Sequence, residues 1–324
     1  MFNQIFEVME KKERDGKVIN PFLDWSFKYL FGTPESKSNL IGLLNLVLSP
    51  DVEIEDVDFM NSESIPSSPQ LKGCVFDIIC RDKAGDNYLV EMQNQQMMNE
   101  VERMIYYTCR LIDRMGVSGR EWDYRQIKRV YSICLMNFTF EEHPVLRRDV
   151  VLYDVRGQKV FSDKLNIVLL QLPCLRARSI HECSQQYEFL LYLLNQMHKG
   201  MKTIEELKLE VAQTALPEET KELFYKVLDT ADVASLSESD RIQYESDLKN
   251  YRDSMSCIAF AEHKGRVEGL EEGRQEGREE GRKEGIKVGV LRTAKKMKSL
   301  GIPEKDIAEC TGLSVEEISN LSLK

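Results

Sequence analysis

Two short apolar runs joined by a turn-forming segment constrain the fold of this chain more than any other feature of its sequence. The first run, Cys74–Cys80, contains one carboxylate, Asp77, and the second, Tyr88–Gln93, contains Glu91. The segment between them, Arg81–Asn87, carries the Ala-Gly and Asn residues typical of a β-hairpin turn. The sequence therefore predicts two paired strands that each carry an acidic side chain into an apolar layer.

Helical and strand-like patterns alternate on both sides of this hairpin. Residues 20–50 and the segment that begins at Asn99 have apolar side chains at spacings of three and four, which indicates helices. Val130–Phe138 and Leu165–Leu172 are further apolar runs of strand length. Strands interleaved with helices predict a layered α/β or α+β architecture.

Changes in these patterns divide the 324 residues into four parts. Residues 1–175 are the expected α/β core, and residues 176–257 are a mostly helical subdomain expected to pack on the sheet. Residues 258–290 carry a glycine repeat rich in Arg and Glu. Residues 291–324 have the outline of a small helix-turn-helix unit, in which Ser314 caps a helix.

The glycine repeat is the only true internal repeat of the sequence. Its glycines stand at residues 265, 269, 273, 277, 281, 285 and 289. Each interior glycine destabilises a helix by about 1 kcal/mol relative to Ala, whereas each well-spaced Glu–Arg or Glu–Lys pair stabilises it by about 0.2–0.5 kcal/mol. We therefore expect a marginal helix or disorder. A bare glycine ridge also lets helices approach closely, so the repeat is a candidate surface for homo-oligomerisation, with a solvated spacer as the alternative.

The charge balance restricts how this chain could meet a nucleic acid. Its 44 Lys and Arg against 54 Asp and Glu leave a formal charge of -10, whereas a protein held to DNA by its overall charge would be basic. Any DNA contact must therefore use a local patch, and residues 101–130, with seven basic and four acidic side chains, are the candidate. Glu316 and Glu317 argue against major-groove recognition by the C-terminal unit.

The sequence also predicts a cytoplasmic protein without a membrane span. No run approaches the roughly 18 consecutive apolar residues that a membrane helix needs, and residues 1–15 lack the pattern of a signal peptide. The eight cysteines are scattered without a C-x-x-C pair, which indicates reduced thiols.

Asp77 and Glu91 are the residues that point to chemistry, because a buried carboxylate costs several kcal/mol unless something compensates it. Glu91 and Gln93 share strand parity, so their side chains point to the same face. Two carboxylates on neighbouring strands, with a polar residue beside them, suit Mg²⁺ or another divalent cation that prefers oxygen ligands. The alternative is a buried salt bridge to one of three basic residues: Arg81, Arg103 or Lys72.

These residues resemble a known nuclease motif. Asp77 followed by Glu91-Met92-Gln93 is similar to the D…(D/E)-x-K motif of the PD-(D/E)XK nuclease superfamily. The closer resemblance is to its Rpn family, recombination-promoting nucleases also described as candidate transposases. Asp24–Gly32 is similar to that family's opening D-x-x-F-K-x-L-F-G, and Arg103 and Tyr107 match its R-x-x-x-Y pattern. The resemblance covers the N-terminal half closely and about the last 60 residues loosely.

The resemblance implies an α/β, restriction-endonuclease-like fold, in which a central mixed sheet is flanked by helices and followed by a C-terminal helical extension. It implies a Mg²⁺-dependent DNA endonuclease that hydrolyses phosphodiester bonds and is linked to DNA recombination or mobile elements. Asp77 and Glu91 would bind the metal ion, with the Met92 carbonyl as a third oxygen. The residues expected to contact DNA are Lys72, Arg103 and Tyr107.

One position departs from the superfamily pattern, because Gln93 stands where a Lys is usual. Gln can hydrogen-bond a water molecule but supplies no positive charge. Lys28 or Lys72 would then supply that charge, and Asp24 is either an acid near the metal or a helix N-cap. The alternative function is a catalytically weak nuclease-fold module for DNA binding or assembly, which the negative net charge and the missing Lys both favour.

Overall fold

The computed structural model describes residues 16–61, 63–64, 74–97, 99–116, 123–139 and 143–322. The described residues form two compact units that divide between residues 251 and 252. No helix among the described residues combines the length and the apolar character needed to cross a membrane. The seven cysteines whose side chains are described are all free thiols.

The first unit is built around a mixed six-stranded sheet. The strands of this unit are β1 Val57–Phe59, β2 Glu63–Ser64, β3 Cys74–Val75, β4 Ile78–Asp82, β5 Asn87–Gln93, β6 Val130–Met136, β7 Arg147–Asp154 and β8 Lys159–Gln171. The six-stranded sheet has the spatial order β1-β4-β5-β6-β8-β7, and β2 and β3 form a separate two-stranded sheet. The β5–β6 and β6–β8 pairs are parallel, and the β1–β4, β4–β5 and β7–β8 pairs are antiparallel.

Helices precede, interrupt and follow the strands along the chain. Residues 176–251 are mostly helical, and their apolar side chains share one hydrophobic cluster with the sheet. The helices are α1 Asp24–Phe31, α2 Lys37–Leu48, α3 Glu100–Asp113, α4 Gln186–Lys199, α5 Ile204–Ala212, α6 Glu218–Thr230, α7 Glu238–Ser299, α8 Glu304–Thr311 and α9 Val315–Ser319. The expected mixed sheet flanked by helices is confirmed.

The two faces of strand β5 meet different surroundings. Tyr88, Val90 and Met92 point into the main cluster, where they pack with residues of α1, α2, α4, α5 and α6. Leu89 points the other way and packs with Leu111 of α3. Every residue of β5 and of β6 is buried, because helices cover both faces of the sheet at its centre. Side chains of alternating parity on β5 therefore reach either the main core or the layer beneath α3.

The hairpin forms as expected, but the first strand is interrupted. The turn lies between Asp82 and Asn87, with Gly85 at a φ of +89°, a value that glycine adopts without strain. The predicted strand Cys74–Cys80 is two strands, because β3 ends at Val75 and β4 begins at Ile78. The expectation that Asp77 lies within a continuous strand is therefore wrong. Its side chain accepts a hydrogen bond from the neighbouring strand in place of a regular ladder contact.

In the second unit, the glycine repeat is helical from end to end. The same helix, α7, continues past the repeat to Ser299, and Gly301 follows at a φ of +78°. A β-carbon added at any of the seven repeat glycines would meet nothing within 4 Å, so the ridge is open. Ala294 of α7 packs with Ile307 and Ile318 of the two small helices, which gives this unit a core of its own.

Candidate active site

Asp77 is linked to Glu91 and to its neighbour Met92 by two hydrogen bonds. The backbone N–H of Asp77 donates to Glu91 Oε1 at 3.2 Å, and the backbone N–H of Met92 donates to Asp77 Oδ2 at 2.8 Å. Gln93 Nε2 donates to the second Glu91 oxygen, Oε2, at 3.2 Å. The break between β3 and β4 thus turns Asp77 toward β5, and all three candidate residues converge on one place.

This site is buried enough to change the acidity of both carboxylates. Glu91 is 6% exposed, and burial, followed by the nearby charge of Asp77, raises the pKa of Glu91 to about 8. Burial is also the main cause that raises the pKa of Asp77. Two acids in one low-dielectric pocket resist ionising together, so a bound cation would replace a proton there.

Lys28 and Asp24 approach the carboxylate pair from helix α1. Lys28 Nζ lies 2.8 Å from Asp24 Oδ1, one helical turn earlier. Burial lowers the pKa of Lys28, but the Asp24 hydrogen bond and the charges of Asp77 and Glu91 outweigh it and leave that pKa raised. The N-cap alternative for Asp24 is wrong, because Leu23 holds the N-cap position and Asp24 is the first helical residue. Lys28 is therefore a cation that interacts electrostatically with both Asp77 and Glu91.

Arg103 reaches the site from helix α3, and its charge favours the ionised forms of Asp77 and Glu91. Its Nη2 atom lies 2.9 Å from Glu100 Oε1. Its guanidinium carbon lies 5.8 Å from the centre of the Tyr107 ring, within the range of a cation–π contact. Arg103 is thus held between an acid and an aromatic ring on its own helix.

Glu100 is a site residue that the sequence analysis missed. It is 4% exposed, and its Oε2 atom has no hydrogen-bond partner among the described residues. In the sequence it reads as an ordinary acid in the first turn of a helix, where the helix dipole favours negative charge. The signal that could have found it is its spacing, three residues before Arg103.

A small cavity lies between β5, β6 and α3. It has room for about one water molecule, and the thiol of Cys134 in its wall has a pKa raised well above its usual value by burial. Its polar walls come from Glu91, Gln93, Glu100, Arg103, Tyr107, Ser132 and Cys134. Polar groups of two strands and one helix therefore enclose the buried side of Glu91.

Among the described residues, Asp77 and Glu91 form no salt bridge, which was the alternative explanation for their burial. Neither Asp77 nor Glu91 lies within ion-pair distance of a described Lys or Arg. Arg81 instead donates from Nε to Asn87 Oδ1 at 3.2 Å, and Arg103 pairs with Glu100. Lys72 lies outside the described residues.

The donor set fits some metal ions better than others. Among the described residues, no group of three or more His, Cys, Asp or Glu side chains is arranged to hold a metal, as a structural zinc site would require. Mg²⁺ is usually bound by one or two carboxylates and keeps several of its waters. The Asp77–Glu91 pair is a donor set of that kind.

Comparison with known protein families gives a match that covers most of the chain. Residues 21–261 match the model of a family described as PD-(D/E)XK nuclease family transposase. No curated protein and no solved structure matches the chain. The match runs beyond the motif residues and through helices α4–α6, where the sequence offered no sign of chemistry.

Proposed function

Because the chain belongs to the PD-(D/E)XK nuclease family transposases, we propose that it is a metal-dependent DNA endonuclease. It would hydrolyse phosphodiester bonds during DNA recombination or the movement of mobile elements. The observation that carries this proposal is the pair of carboxylates, half-buried Asp77 and buried Glu91, linked by a hydrogen bond from the Asp77 N–H to Glu91 Oε1 near the centre of the sheet. A fold gains nothing from burying two acids side by side unless a cation or a proton accompanies them.

Asp77 and Glu91 are the residues that would hold Mg²⁺ or another divalent cation. When bound, the ion supplies activation of water and neutralises charge on the phosphate. Gln93 fixes the orientation of the Glu91 carboxylate through its amide. Lys28 is the cation available to the phosphate, since its pairing with Asp24 holds it beside the carboxylates.

Arg103 and Tyr107 are the proposed DNA contacts on helix α3, and Lys72 stays a predicted one. Glu100 is a positioning residue in this proposal, because its carboxylate holds the guanidinium of Arg103. A buried carboxylate that binds an arginine in this way fixes one rotamer of a side chain with many. Arg103 would thereby meet a phosphate group without first having to become ordered.

The second candidate function is a catalytically weak nuclease-fold module for DNA binding or assembly. The observation that favours it is Gln93, which occupies the usual position of the superfamily Lys and donates its hydrogen bond to Glu91. Homo-oligomerisation through the open glycine ridge of α7 is a separate proposal. A cytoplasmic location stays a prediction that rests on the cysteine usage.

The decisive experiment compares four full-length proteins on supercoiled plasmid DNA with Mg²⁺, Mn²⁺ or Ca²⁺. Wild type and Glu102→Gln, which changes an exposed acid of α3, should cleave equally. Asp77→Asn and Glu91→Gln should lose at least about 100-fold in cleavage rate, since loss of even an outer contact at a metal site costs 10–100-fold. Titration calorimetry with Mg²⁺ alone should show binding to the first two proteins and none to the others.

Three outcomes separate the candidates. Cleavage by Asp77→Asn at the wild-type rate would remove this carboxylate pair from the mechanism. Wild type that binds Mg²⁺ and DNA without cleaving would favour the weak-nuclease module. Wild type that binds no divalent cation at all would contradict the metal-dependent assignment.

A further inference from the structure

The outer strand β7 and its turn expose an unusual amount of apolar surface. Val155 is 80% exposed, Phe161 75% and Tyr153 53%. The full set of exposed apolar side chains on this hairpin is Val150, Val151, Leu152, Tyr153, Val155, Val160 and Phe161. The patch includes side chains of both strands of the hairpin, and an exposed apolar patch of this kind marks an interaction surface.

The unpaired backbone edge of β7 indicates that the partner of this patch is another β-strand. β7 is the last strand of the sheet, and no described strand pairs with its outer edge. Its sequence, Arg147–Asp154, contains no Pro, and its central segment Val150–Tyr153 carries no charge, whereas Pro and charged side chains usually prevent edge strands from pairing. The irregularity in the hairpin lies on β8, where pairing jumps from Ser162 to Asn166 while β7 advances one residue at a time. The backbone of β7 therefore stays continuous for a new strand.

The far end of the hairpin needs an outside partner for physical reasons. Strand β6 pairs with β8 only from Leu165 onward, so residues 152–162 extend past it as two strands alone. An isolated two-stranded hairpin is marginally stable at best in water. Pairing along β7 would supply the third strand and cover apolar side chains at the same time.

The charges of β7 match a second copy of the same strand. In an antiparallel ladder, hydrogen-bonded and non-hydrogen-bonded pairs alternate, so a two-fold axis must pass through a residue that faces itself. With Val151 on the axis, Arg148 of each copy lies opposite Asp154 of the other, which gives two opposite-charge pairs. An axis at Leu152 would instead place Arg148 opposite Arg156, and an axis at Val150 would pair no opposite charges.

We propose that β7 pairs antiparallel with β7 of a second copy of this chain, with the two-fold axis at Val151, so that two sheets join edge to edge. Opposite charges directly across an antiparallel pair stabilise it, and like charges destabilise it. This interface is independent of the nuclease proposal, and it is separate from any association through the glycine repeat.

The test uses the fact that residue 151 would meet itself. Full-length Val151→Lys and Val151→Glu should each show a lower mass than wild type by light scattering, because like charges would face each other. An equimolar mixture of the two should recover the wild-type mass, since Lys would then face Glu. Val160→Lys is the matched control, because Val160 lies on β8, away from the outer edge of β7, and is more exposed than Val151, and it should keep the wild-type mass.

A second readout does not depend on how the charged variants fold. Directly opposed residues in an antiparallel pair have Cα atoms about 4.5–5.5 Å apart, a separation that a disulfide can bridge. Val151→Cys should therefore form cross-linked dimers under mild oxidation, beyond the level of wild type and of Val155→Cys. Equal cross-linking in all three proteins, or no recovery of mass in the Lys–Glu mixture, would overturn the proposal.

Discussion

Strands β5 and β7 belong to the same sheet and break the usual distribution of polar and apolar side chains in opposite ways. β5 is buried along its whole length and yet carries Glu91 and Gln93. β7 carries a run of apolar residues, Val150–Tyr153, and exposes all of them. Local sequence and environment agree through most of a natural protein, and they disagree mainly at functional sites. We therefore place the proposed cation at β5 and the proposed second copy at β7.

The chain compensates for the buried polar residues of β5 but not for the exposed apolar residues of β7. On β5, two backbone N–H groups and one side-chain amide donate to the carboxylates, so part of the burial penalty is offset within the protein. On β7, no described strand covers the edge. In our proposals, the site at β5 is preorganised before a cation binds, whereas β7 would gain its missing contacts only on association.

The largest expected effect comes from one substitution made in both strands. Val90→Lys places an ammonium group in the main core, where Val90 is fully buried, and should lower the free energy of unfolding by more than about 4 kcal/mol. Val151→Lys should lower stability only at protein concentrations at which the dimer forms, because stability gained from association follows mass action. Chemical denaturation at two protein concentrations checks both expectations. An equal loss of unfolding free energy in the two variants, independent of protein concentration, would contradict the proposed difference between the strands.

A smaller effect should appear in the pH dependence of β5. The pKa of Glu91 is raised from an ordinary value of 4.5 to about 8 in the folded chain, so between these pH values the unfolded state binds fewer protons than the folded state. Stability must then fall as pH rises through this window, and the loss is complete above pH 8. Without divalent cations, the Tm of Glu91→Gln should exceed that of wild type by an amount that grows from pH 5 to pH 8.

The size of this change and its control are both accessible to thermal melts. Each 1 kcal/mol moves the Tm of a unit of this size by about 2–4 °C, so a difference of several degrees is expected at pH 8. Glu102→Gln removes an exposed acid and should run parallel to wild type. A constant difference between Glu91→Gln and wild type across the pH range would mean that Glu91 does not carry the proton.

The sequence could predict β5 and its acids because their signals are local. The sequence itself shows two apolar runs that each contain an acid, with a turn segment between them. These features suffice to predict the β4–β5 hairpin. The break at Asp77 was not readable, because it depends on a hydrogen bond to Met92, 15 residues away. Glu100 was missed for a similar reason, since only the packing of α3 on the sheet buries it.

Strand β7 and the first part of β8 escaped prediction for the opposite reason. A half-buried strand alternates apolar and polar residues, but Val150–Tyr153 is apolar at every position and is exposed. Only Leu165–Leu172, which contains the part of β8 that pairs with β6, has the sequence pattern of a strand. The apolar–polar periodicity of a strand reflects which side chains are buried within its own chain. It therefore does not predict a strand whose apolar side chains are covered by another molecule, as we propose for β7.

The smallest effect is expected from Gln93→Lys, which introduces a positive charge at the β5 position where the superfamily usually has Lys. Gln93 donates to Glu91, and Lys28 already places a cation near both acids, so Gln93→Lys would add a second positive charge beside the metal ligands. Like charges repel, and we expect cleavage to fall several-fold while the Mg²⁺ concentration for half-maximal activity rises. Lys28→Ala should slow cleavage and shift that concentration in the other direction, because it removes a cation from the same place. A Lys28→Ala protein with wild-type rate and metal dependence, together with a faster Gln93→Lys protein, would show that the Gln93 position carries the phosphate charge and that Lys28 does not.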